Sequence, residues 1–264
     1  MDAFISLQKS IERLVRIRCS NYKEDYIKRR ILSRMRLTNT ADFEAYHKYL
    51  LANPQEVDLL RNALTINVTK FFRDPEVFEV LRREVFPDLA ARRGSIRIWC
   101  AGCSTGEEPY SIAILAHDLL ALHPGASVTI HATDIDTVVL EKARTGIYDR
   151  KALENVDERQ IRRHFISHDD GTFEVRPHIK DLVKFRQHDL MSGIPIARYL
   201  DAVTCRNVTI YFTEQQKNEL ARLIHSALSV DGYYIMGKTE YLGREVEHLF
   251  APYNVMQKIL RKAA

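Results

Sequence analysis

The sequence predicts an α/β protein, in which a doubly wound, mostly parallel sheet follows an all-α segment. Three observations carry this prediction. From Ile96 onward, short apolar runs of strand type alternate with helical patterns, which is typical of βαβ units. Before residue 91, apolar residues recur at helical spacing, and polar or proline-containing breaks separate the runs.

The third observation is the stretch 96–112, I-R-I-W-C-A-G-C-S-T-G-E-E-P-Y-S-I. It combines a buried strand, a tight turn with Gly102 and Gly106, and a helix that opens with two acids and a proline. In an open α/β sheet, such a turn is where a nucleotide-like ligand binds.

Length and composition place the chain among globular proteins. Its 264 residues, 45% apolar and 28% charged, are enough for one large domain or two modest ones. No apolar run approaches the ~20 residues that span a bilayer, and the N-terminus lacks a secretory signal, so we expect a cytoplasmic protein without membrane insertion.

The net charge of +4 is unevenly distributed along the chain. Residues 1–93 hold 18 Lys and Arg against 13 Asp and Glu, which indicates that this part of the chain binds an acidic partner.

The apolar periodicity of the N-terminal segment predicts five helices, at residues 2–18, 24–37, 40–52, 55–65 and 76–89. Thr40 is the predicted N-terminal cap of the third helix. The second helix is strongly cationic through Lys28, Arg29, Arg30, Arg34 and Arg36. Taken alone, such a face is more often a solvated surface than a docking surface. The polar stretch 91–95 sets the boundary between an all-α domain, residues 1–90, and an α/β domain, residues 91–264.

Strands and helices alternate through the second domain. The strands are placed at residues 96–99, 127–132, 182–186, 202–205, 233–236 and 254–259, and the helices at 108–122, 138–144 and 213–228. Residues 151–181 interrupt this pattern, and Asp170-Gly171 between two β-type runs predicts a hairpin there. We therefore expect a small antiparallel insertion at about 151–181.

The carboxyl ends of the parallel strands meet at one edge of the sheet, where ligands bind. The residues predicted to lie there are Ala101, Gly102, Cys103, Asp134, Asp189, Cys205, Arg206 and Asn207. Gly102 lets backbone approach a ligand where a side chain would block it. Asp134 follows the second strand and is placed to accept hydrogen bonds from a ribose diol.

Two acids, Glu107 and Glu108, open the helix after the turn and argue against a phosphate ligand. A helix N-terminus that binds a pyrophosphate should not carry two carboxylates, and neither G-x-G-x-x-G nor Gly-Lys-Ser/Thr is present. A ligand with a ribose and a positive centre but no phosphate fits better, which favours S-adenosylmethionine (SAM). A dinucleotide stays the alternative at this point.

Cys100 and Cys103 have the spacing of a redox or zinc pair. No second Cys or His pair at matched spacing accompanies them, so we interpret them as small residues packed beside the tight turn. A redox role is the alternative, and no metal site is expected.

Several motifs carry a resemblance to a known family. W-C-A-G-C-S-T-G-E-E-P-Y-S-I-A, T-D-I-D-T-x-V-L-E-K-A-R-T-G-I-Y and C-R-N-V-T-I-Y-F closely resemble the chemotaxis receptor methyltransferases, the CheR family. Y-I-K-R-R-I-L-S-R-M-R and N-V-T-K-F-F-R-D-P match too, so the resemblance covers nearly the whole chain. It implies an all-α domain and a doubly wound SAM-dependent methyltransferase domain with a small antiparallel β-subdomain. The implied activity is esterification of glutamate side chains on the cytoplasmic helices of chemoreceptors, with S-adenosylhomocysteine as the other product.

The resemblance also implies a set of site residues. SAM contacts fall on Asn67, Thr69, Arg73, Glu108, Asp134, Asp189, Leu190, Cys205 and Arg206, beside the strand-end residues Ala101 and Gly102. Family members often carry Asn where Asp189 stands, and an Asp there can still accept a bond from the adenine amino group. Arg73 and Tyr211 match residues with catalytic or substrate-positioning roles, and the segment 67–73 would fold over the SAM from the all-α domain. The alternatives are a surface ion pair between Arg73 and Asp74, and a core position for Tyr211.

The implied reaction needs no general base, because a glutamate carboxylate with a reference pKa of about 4.3 is already ionised at neutral pH. Positioning and removal of water are then the main tasks. The resemblance also implies a partner for the cationic second helix, because receptor methylation helices are Glu-rich. The positive charge of this helix would steer the encounter between enzyme and receptor.

We expect a monomer with no nucleic-acid partner.

One departure from the family concerns the hairpin turn. Family members that bind a C-terminal receptor peptide have a longer, glycine-containing loop in the β-subdomain. The turn here is only S-H-D-D-G-T, residues 167–172, which predicts an enzyme independent of such a tether.

Two rival functions stay open. The basic N-terminal domain allows a nucleic-acid methyltransferase, although the Pro-Pro-aromatic that amino-methylating enzymes place after this strand is missing at Arg206-Asn207-Val208. A non-catalytic SAM-binding protein is the other, and the retention of Arg73 and Tyr211 argues against it.

Overall fold

The computed structural model of the chain describes residues 3–15, 17–65 and 68–263. The described residues form two compact units. The first, the helical unit, contains the residues up to 65 together with Tyr211–Gln216. The second, the sheet unit, contains Val68–Ile210 and the residues from 217 onward.

Among the described residues, the helical unit contains four complete α-helices: α1 (Ala3–Val15), α2 (Glu24–Leu37), α3 (Phe43–Ala52) and α4 (Pro54–Leu64). In α1 the buried residues recur every three or four positions, as an amphipathic helix requires: Phe4, Leu7, Ile11 and Val15. The cap of α3 is Asp42 and not Thr40, because the Asp42 side chain accepts a 2.8 Å hydrogen bond from Ala45 N.

The sheet unit contains the remaining elements in alternation. Its helices are α5 (Pro75–Val80), α6 (Phe86–Arg92), α7 (Glu107–Leu122), α8 (Thr137–Thr145), α9 (Glu158–His164), α10 (Pro177–Lys180) and α11 (Glu214–Ala227), whose first residues belong to the helical unit. Its strands are β1 (Ser95–Ala101), β2 (Ser127–Asp134), β3 (Ile147–Tyr148), β4 (Phe165–Ser167), β5 (Phe173–Val175), β6 (Val183–Gln187), β7 (Leu200–Cys205), β8 (Leu228–Met236), β9 (Phe250–Asn254) and β10 (Ile259–Lys262). No helix in the residues that the structure describes is both long and apolar enough to cross a membrane.

Seven strands form the main sheet, in the order β6-β2-β1-β7-β8-β10-β9. The first five run parallel, and β10 pairs antiparallel with both β8 and β9. The order reverses between β1 and β7, because β2 lies on one side of β1 and β7 on the other. This arrangement confirms the predicted doubly wound, mostly parallel sheet after an all-α segment.

The small insertion is a three-stranded antiparallel sheet in the order β3-β5-β4. Its hairpin is closed by a 2.9 Å hydrogen bond from His168 N to Thr172 O, around the predicted Asp170-Gly171 turn. The insertion begins at Ile147, slightly before the predicted residue 151, because β3 pairs with β5.

The division into compact units differs from the domain boundary that the sequence predicts near residue 90. Helices α5 and α6 bury Val77, Phe78 and Phe86 in the same apolar core as Ile96 and Ile98 of β1. Burial against the sheet therefore assigns the whole stretch from Val68 onward to the sheet unit.

The C-terminal strand prediction is also displaced. Residues 255–258, predicted as part of a strand at 254–259, form the turn between β9 and β10, where Lys258 has a φ of +54°.

Candidate functional site

The candidate site lies at the carboxyl ends of β2, β1 and β7 with the loops that follow them, here called the strand-end site. Gly102 directly follows β1 and has a φ of +79°, in the region that favours glycine. A Cβ at this position would lie 2.6 Å from Cγ2 of Val208, in the loop after β7. Only glycine therefore lets these two loops approach so closely, and the strand-end residues Ala101 and Cys205 are both buried.

Backbone hydrogen bonds hold the tight turn against the end of β2. The N–H groups of Gly102 and Cys103 both donate to Thr133 O at 2.8 Å. Ser104 N donates to Oδ2 of Asp134 at 2.8 Å, and Asp136 N donates to Oδ1 of the same carboxylate at 3.0 Å. Both oxygens of Asp134 thus accept backbone hydrogen bonds, which fix the direction of the carboxylate.

Burial and hydrogen bonding shift the pKa of the Asp134 carboxyl in opposite directions. Burial raises its pKa, while the backbone N–H donors favour the ionised form and limit the rise. The side chain is therefore held in one orientation at the end of β2, as the predicted ribose contact requires.

The two acids at the start of α7 occupy different environments. Glu107 is buried and accepts a 2.7 Å bond from Thr105 Oγ1, and burial raises its pKa. Glu108 is partly exposed and accepts bonds from Thr204 Oγ1 at 2.6 Å and from Arg206 Nη1 at 3.0 Å. Only Glu108 is therefore tied to the residues at the end of β7.

Arg206 connects three parts of the site. Its side chain is 2% exposed, and its Nη2 donates to Arg73 O at 2.9 Å and to Asp74 Oδ2 at 2.7 Å, beside the Nη1 bond to Glu108. Its guanidinium also lies 5.5 Å from the centre of the Phe78 ring. Within this group two carboxylates face one guanidinium, which leaves an excess of negative charge.

The segment Val68–Asp74 is fixed to the sheet unit. Phe71 N donates to Ala152 O at 3.0 Å, and Phe72 N donates to Ser111 Oγ of α7 at 2.9 Å. This corrects the expectation that the segment reaches the site from the all-α domain, as far as its described residues show. Thr69 is half-buried in this segment, and the predicted contact Asn67 lies outside the described residues.

Arg73 does not form the alternative ion pair with its neighbour. Asp74 pairs with Arg206 instead, and Nη1 of Arg73 donates to Val68 O at 2.9 Å. The Arg73 backbone carbonyl is thereby joined to Arg206, and its guanidinium is held by its own segment.

Asp189 and Leu190 follow β6, next to the end of β2. His188 N donates to Asp134 O at 2.9 Å, which connects the two strand ends. The exposed Asp189 accepts a 2.8 Å bond from Met191 N through Oδ1, and Leu190 beside it is half-buried. Asp189 therefore keeps acceptor capacity on its second oxygen.

Tyr211 belongs to the helical unit. Its ring centre lies 4.8 Å from that of Tyr26, and Lys23 N donates to its carbonyl at 3.0 Å. The ring also packs against the apolar core of that unit. The structure thus groups Arg73 and Tyr211, the two predicted catalytic residues, with different units.

The predicted docking cations on α2 are not equivalent. Lys28, Arg29 and Arg36 are exposed, whereas Arg30 is half-buried with its guanidinium 5.5 Å from the Tyr26 ring centre. Arg34 donates to both carboxylate oxygens of Glu56, at 2.9 and 2.7 Å, and is 14% exposed. The charge of Arg34 is therefore neutralised inside the helical unit.

Sequence reasoning missed Glu240, which is 2% exposed. Its Oε1 accepts bonds from Val208 N, Thr209 N and Thr209 Oγ1 at 2.7–2.9 Å, and its Oε2 accepts from Asn207 N and Gly237 N at 2.9 and 2.7 Å. One buried carboxylate thus fixes the loop after β7. The available signal was an acid four residues after a predicted parallel strand, at the edge where strands present ligand-binding groups.

The cysteines fit a packing role. All four are buried and outside any disulfide, and burial raises the pKa of the Cys100, Cys103 and Cys205 thiols. A raised pKa disfavours the thiolate that metal ligation and redox exchange need.

Comparisons with known proteins give a consistent result. Residues 2–65 match the family profile described as CheR methyltransferase, all-alpha domain, and residues 67–259 match CheR methyltransferase, SAM binding domain. The chemotaxis protein methyltransferase of Escherichia coli is 37% identical over 228 residues, 84% of this chain and 78% of that protein. That of Salmonella typhimurium is 36% identical over 227 residues, covering 84% and 77%, and that of Listeria innocua is 33% identical over 234 residues, covering 88% and 87%.

Proposed function

The chain belongs to the CheR methyltransferase family and is a SAM-dependent methyltransferase, and from this premise we propose that it methylates glutamate side chains on the cytoplasmic helices of chemoreceptors. The products are glutamyl methyl esters and S-adenosylhomocysteine, and the enzyme acts in the cytoplasm. The observation that carries the proposal is the strand-end site, where the carboxylates of Asp74, Glu108 and Asp189 outnumber the guanidinium groups of Arg73 and Arg206. An excess of negative charge suits a cationic methyl donor.

The residues of the site fit SAM in three further respects. Gly102 leaves room where a Cβ would collide with Val208. Asp134 is oriented for a ribose diol by backbone N–H donors that include those of Ser104 and Asp136. Nε of Arg206 is buried without a hydrogen-bond partner among the described residues and is a donor for the carboxylate of the methionine moiety.

When bound, SAM supplies an electrophilic methyl group on its sulfonium. The proposed contacts are Thr69, Arg73, Ala101, Gly102, Glu108, Asp134, Asp189, Leu190, Cys205 and Arg206, with Asn67 outside the described residues. No metal takes part in the proposed methyl transfer.

The chain's own residues have a limited chemical task in this proposal. The substrate carboxylate is already ionised at neutral pH, so the enzyme must orient it and exclude water. Arg73 offers a guanidinium and Tyr211 a hydroxyl for that orientation. A tight ion pair with Arg73 would reduce the nucleophilicity of the carboxylate, whereas the Tyr211 hydroxyl would orient it at lower electrostatic cost.

Receptor docking is proposed on the exposed cations of α2. Lys28, Arg29 and Arg36 face solvent, with Arg30 beside them, and they complement Glu-rich receptor helices. Arg34 contributes to the stability of the helical unit instead. The short 167–172 turn supports recognition without a C-terminal receptor peptide.

The proposed function is tested with tritiated SAM and membranes that contain chemoreceptors. We expect label in the receptors that is released as volatile methanol by mild base, since carboxyl methyl esters are base-labile. Receptors with Glu→Ala changes at their methylation sites are the matched control and should stay unlabelled. Base-stable label, or label in added RNA or DNA with none in the receptors, would refute the proposal.

A further inference from the structure

Three histidines from three helices of the sheet unit converge away from the strand-end site. They are His117 of α7, His164 at the end of α9 and His178 of α10. Each offers one ring nitrogen, and these nitrogens all lie within 4.8 Å of one another. This group is here called the histidine triad.

The separations are close to those of a metal site. In a tetrahedral zinc site with Zn–N bonds of about 2.0–2.1 Å, neighbouring ligand nitrogens lie about 3.3 Å apart. Nδ1 of His164 and Nε2 of His178 are already 3.4 Å apart. The remaining gaps would close with shifts of at most about 1.5 Å, which small side-chain rotations supply.

The triad contains buried nitrogens whose hydrogen bonding is incomplete. His164 is fully buried, and its Nε2 has no hydrogen-bond partner in the described part of the chain. Nδ1 of His117 is likewise buried and unpartnered. Nδ1 of His164 is the atom near His178, so its Nε2 cannot bind the same ion, and the unpartnered Nδ1 of His117 is the nitrogen that indicates a missing ligand.

The electrostatic setting suits a cation that binds neutral imidazole. Neutral imidazole is the form that ligates metals. Asp118 Oδ1 lies 4.0 Å from His117 Nδ1 and pairs with Nη1 of Arg163 at 2.8 Å, which offsets the charge of Arg163.

We propose that His117, His164 and His178 form a site for a divalent transition metal of the zinc class. Three imidazoles suit Zn²⁺ and its neighbours Ni²⁺ and Cu²⁺ rather than Mg²⁺ or Ca²⁺, which prefer oxygen. The exposed His178 leaves the fourth coordination position to water. The metal would join α7 to α9 and α10, which directly precede β4 and follow β5 in the chain, and it is independent of the methyl-transfer chemistry.

The site is tested on the full chain after removal of any affinity tag and treatment with EDTA. Zn²⁺ titration by calorimetry should show one equivalent bound, and Co²⁺ should give the visible absorption of a tetrahedral complex. At a hundredfold excess of Zn²⁺ over its Kd, the Tm should rise by about 5 °C or more. His117→Ala and His178→Ala should each weaken binding by about tenfold or more.

The controls separate the triad from other metal ligands. His164 is buried, so its replacement risks unfolding, and the two more accessible positions carry the test. His123→Ala changes an exposed histidine just after α7 and should leave Zn²⁺ binding unchanged. Absence of saturable Zn²⁺ binding, or equal affinity in wild type and folded His178→Ala, would overturn the proposal.

Discussion

Single carboxylates determine the shape of the strand-end site. Glu240 accepts five hydrogen bonds and Glu108 accepts two, one of them from the buried Arg206. Both acids act on the loop after β7, which carries Arg206 and Val208. The position of this loop therefore depends on two side chains that are distant from it in sequence.

We predict that Glu240→Gln disturbs the site while preserving side-chain size. The amide would place N–H donors against backbone N–H groups that now share the carboxylate. The free energy of unfolding should fall by about 2 kcal/mol, and SAM affinity should fall by about tenfold. Urea denaturation and calorimetry measure these effects.

The matched control for this prediction is Glu247→Gln, because Glu247 is exposed. It should change neither quantity. Wild-type SAM affinity in Glu240→Gln would show that the carboxylate does not position the site.

A second residue-scale prediction concerns the proposed catalytic pair. Arg73→Ala and Tyr211→Phe should leave SAM binding partly intact and lower turnover by about tenfold or more, because each removes a group that orients the substrate carboxylate. Initial rates with receptor and SAM affinities by calorimetry separate the two effects. Wild-type turnover in both variants would remove them from the mechanism.

At the scale of elements, the positive charges of α2 have two roles. One charge stabilises the helical unit, and the exposed ones are proposed to bind the receptor. Arg34 forms a bidentate pair with Glu56, which also accepts a 2.7 Å bond from Tyr46 Oη. Lys28, Arg29 and Arg36 face solvent on the same helix. The sequence pattern cannot separate these roles, because all of them are cations on one helix.

Charge reversal within α2 tests this division. Lys28→Glu with Arg36→Glu should raise the KM for receptor by about tenfold without changing SAM affinity, because steering charges are reversed. Arg34→Glu should instead lower the free energy of unfolding by about 3–5 kcal/mol, because Glu56 loses its buried partner. An unchanged receptor KM in the first variant would show that α2 does not dock the receptor.

The Arg34–Glu56 pair also predicts a pH dependence. Burial pushes the pKa of Glu56 up, but the hydrogen bonds from Arg34 and Tyr46 outweigh it and leave the pKa below its ordinary value of 4.5. The stabilisation is therefore present above pH 4.5 and is lost as the pH falls through the folded-state pKa.

Urea denaturation between pH 7 and pH 3.5 measures this loss. Glu56→Gln should be less stable than wild type at pH 7, and the difference should shrink below about pH 4.5. Glu44→Gln, at an exposed i,i+4 pair with Lys48, is the control and should show little difference at any pH. A constant gap between Glu56→Gln and wild type would contradict the assignment.

For the molecule as a whole, the small antiparallel sheet bears on how receptors are recognised. Its hairpin turn is closed between His168 and Thr172, so it offers little loop for a peptide. We predict no calorimetric binding of a C-terminal chemoreceptor peptide at micromolar concentrations. Removal of that peptide from the receptor should leave the methylation rate unchanged, and clear micromolar binding would overturn the prediction.

Much of the fold was predictable because it depends on local patterns. Apolar periodicity marked α1 and α2, and the alternation of strands and helices indicated the doubly wound sheet. The domain boundary was harder, because α5 and α6 have the same helical pattern whichever core they enter. Only burial against β1 assigns them to the sheet unit.

The sequence by itself determined the fold class, the tight turn at Gly102 and the two acids that favour a cationic ligand. These features depend on residues next to one another in the chain. The tertiary structure alone decided the contacts of Arg206, which reach Glu108 and Asp74 across 98 and 132 residues. It also decided the burial of Arg34 and the convergence of the histidine triad. Such contacts depend on how distant segments pack, and no spacing in the sequence encodes them directly.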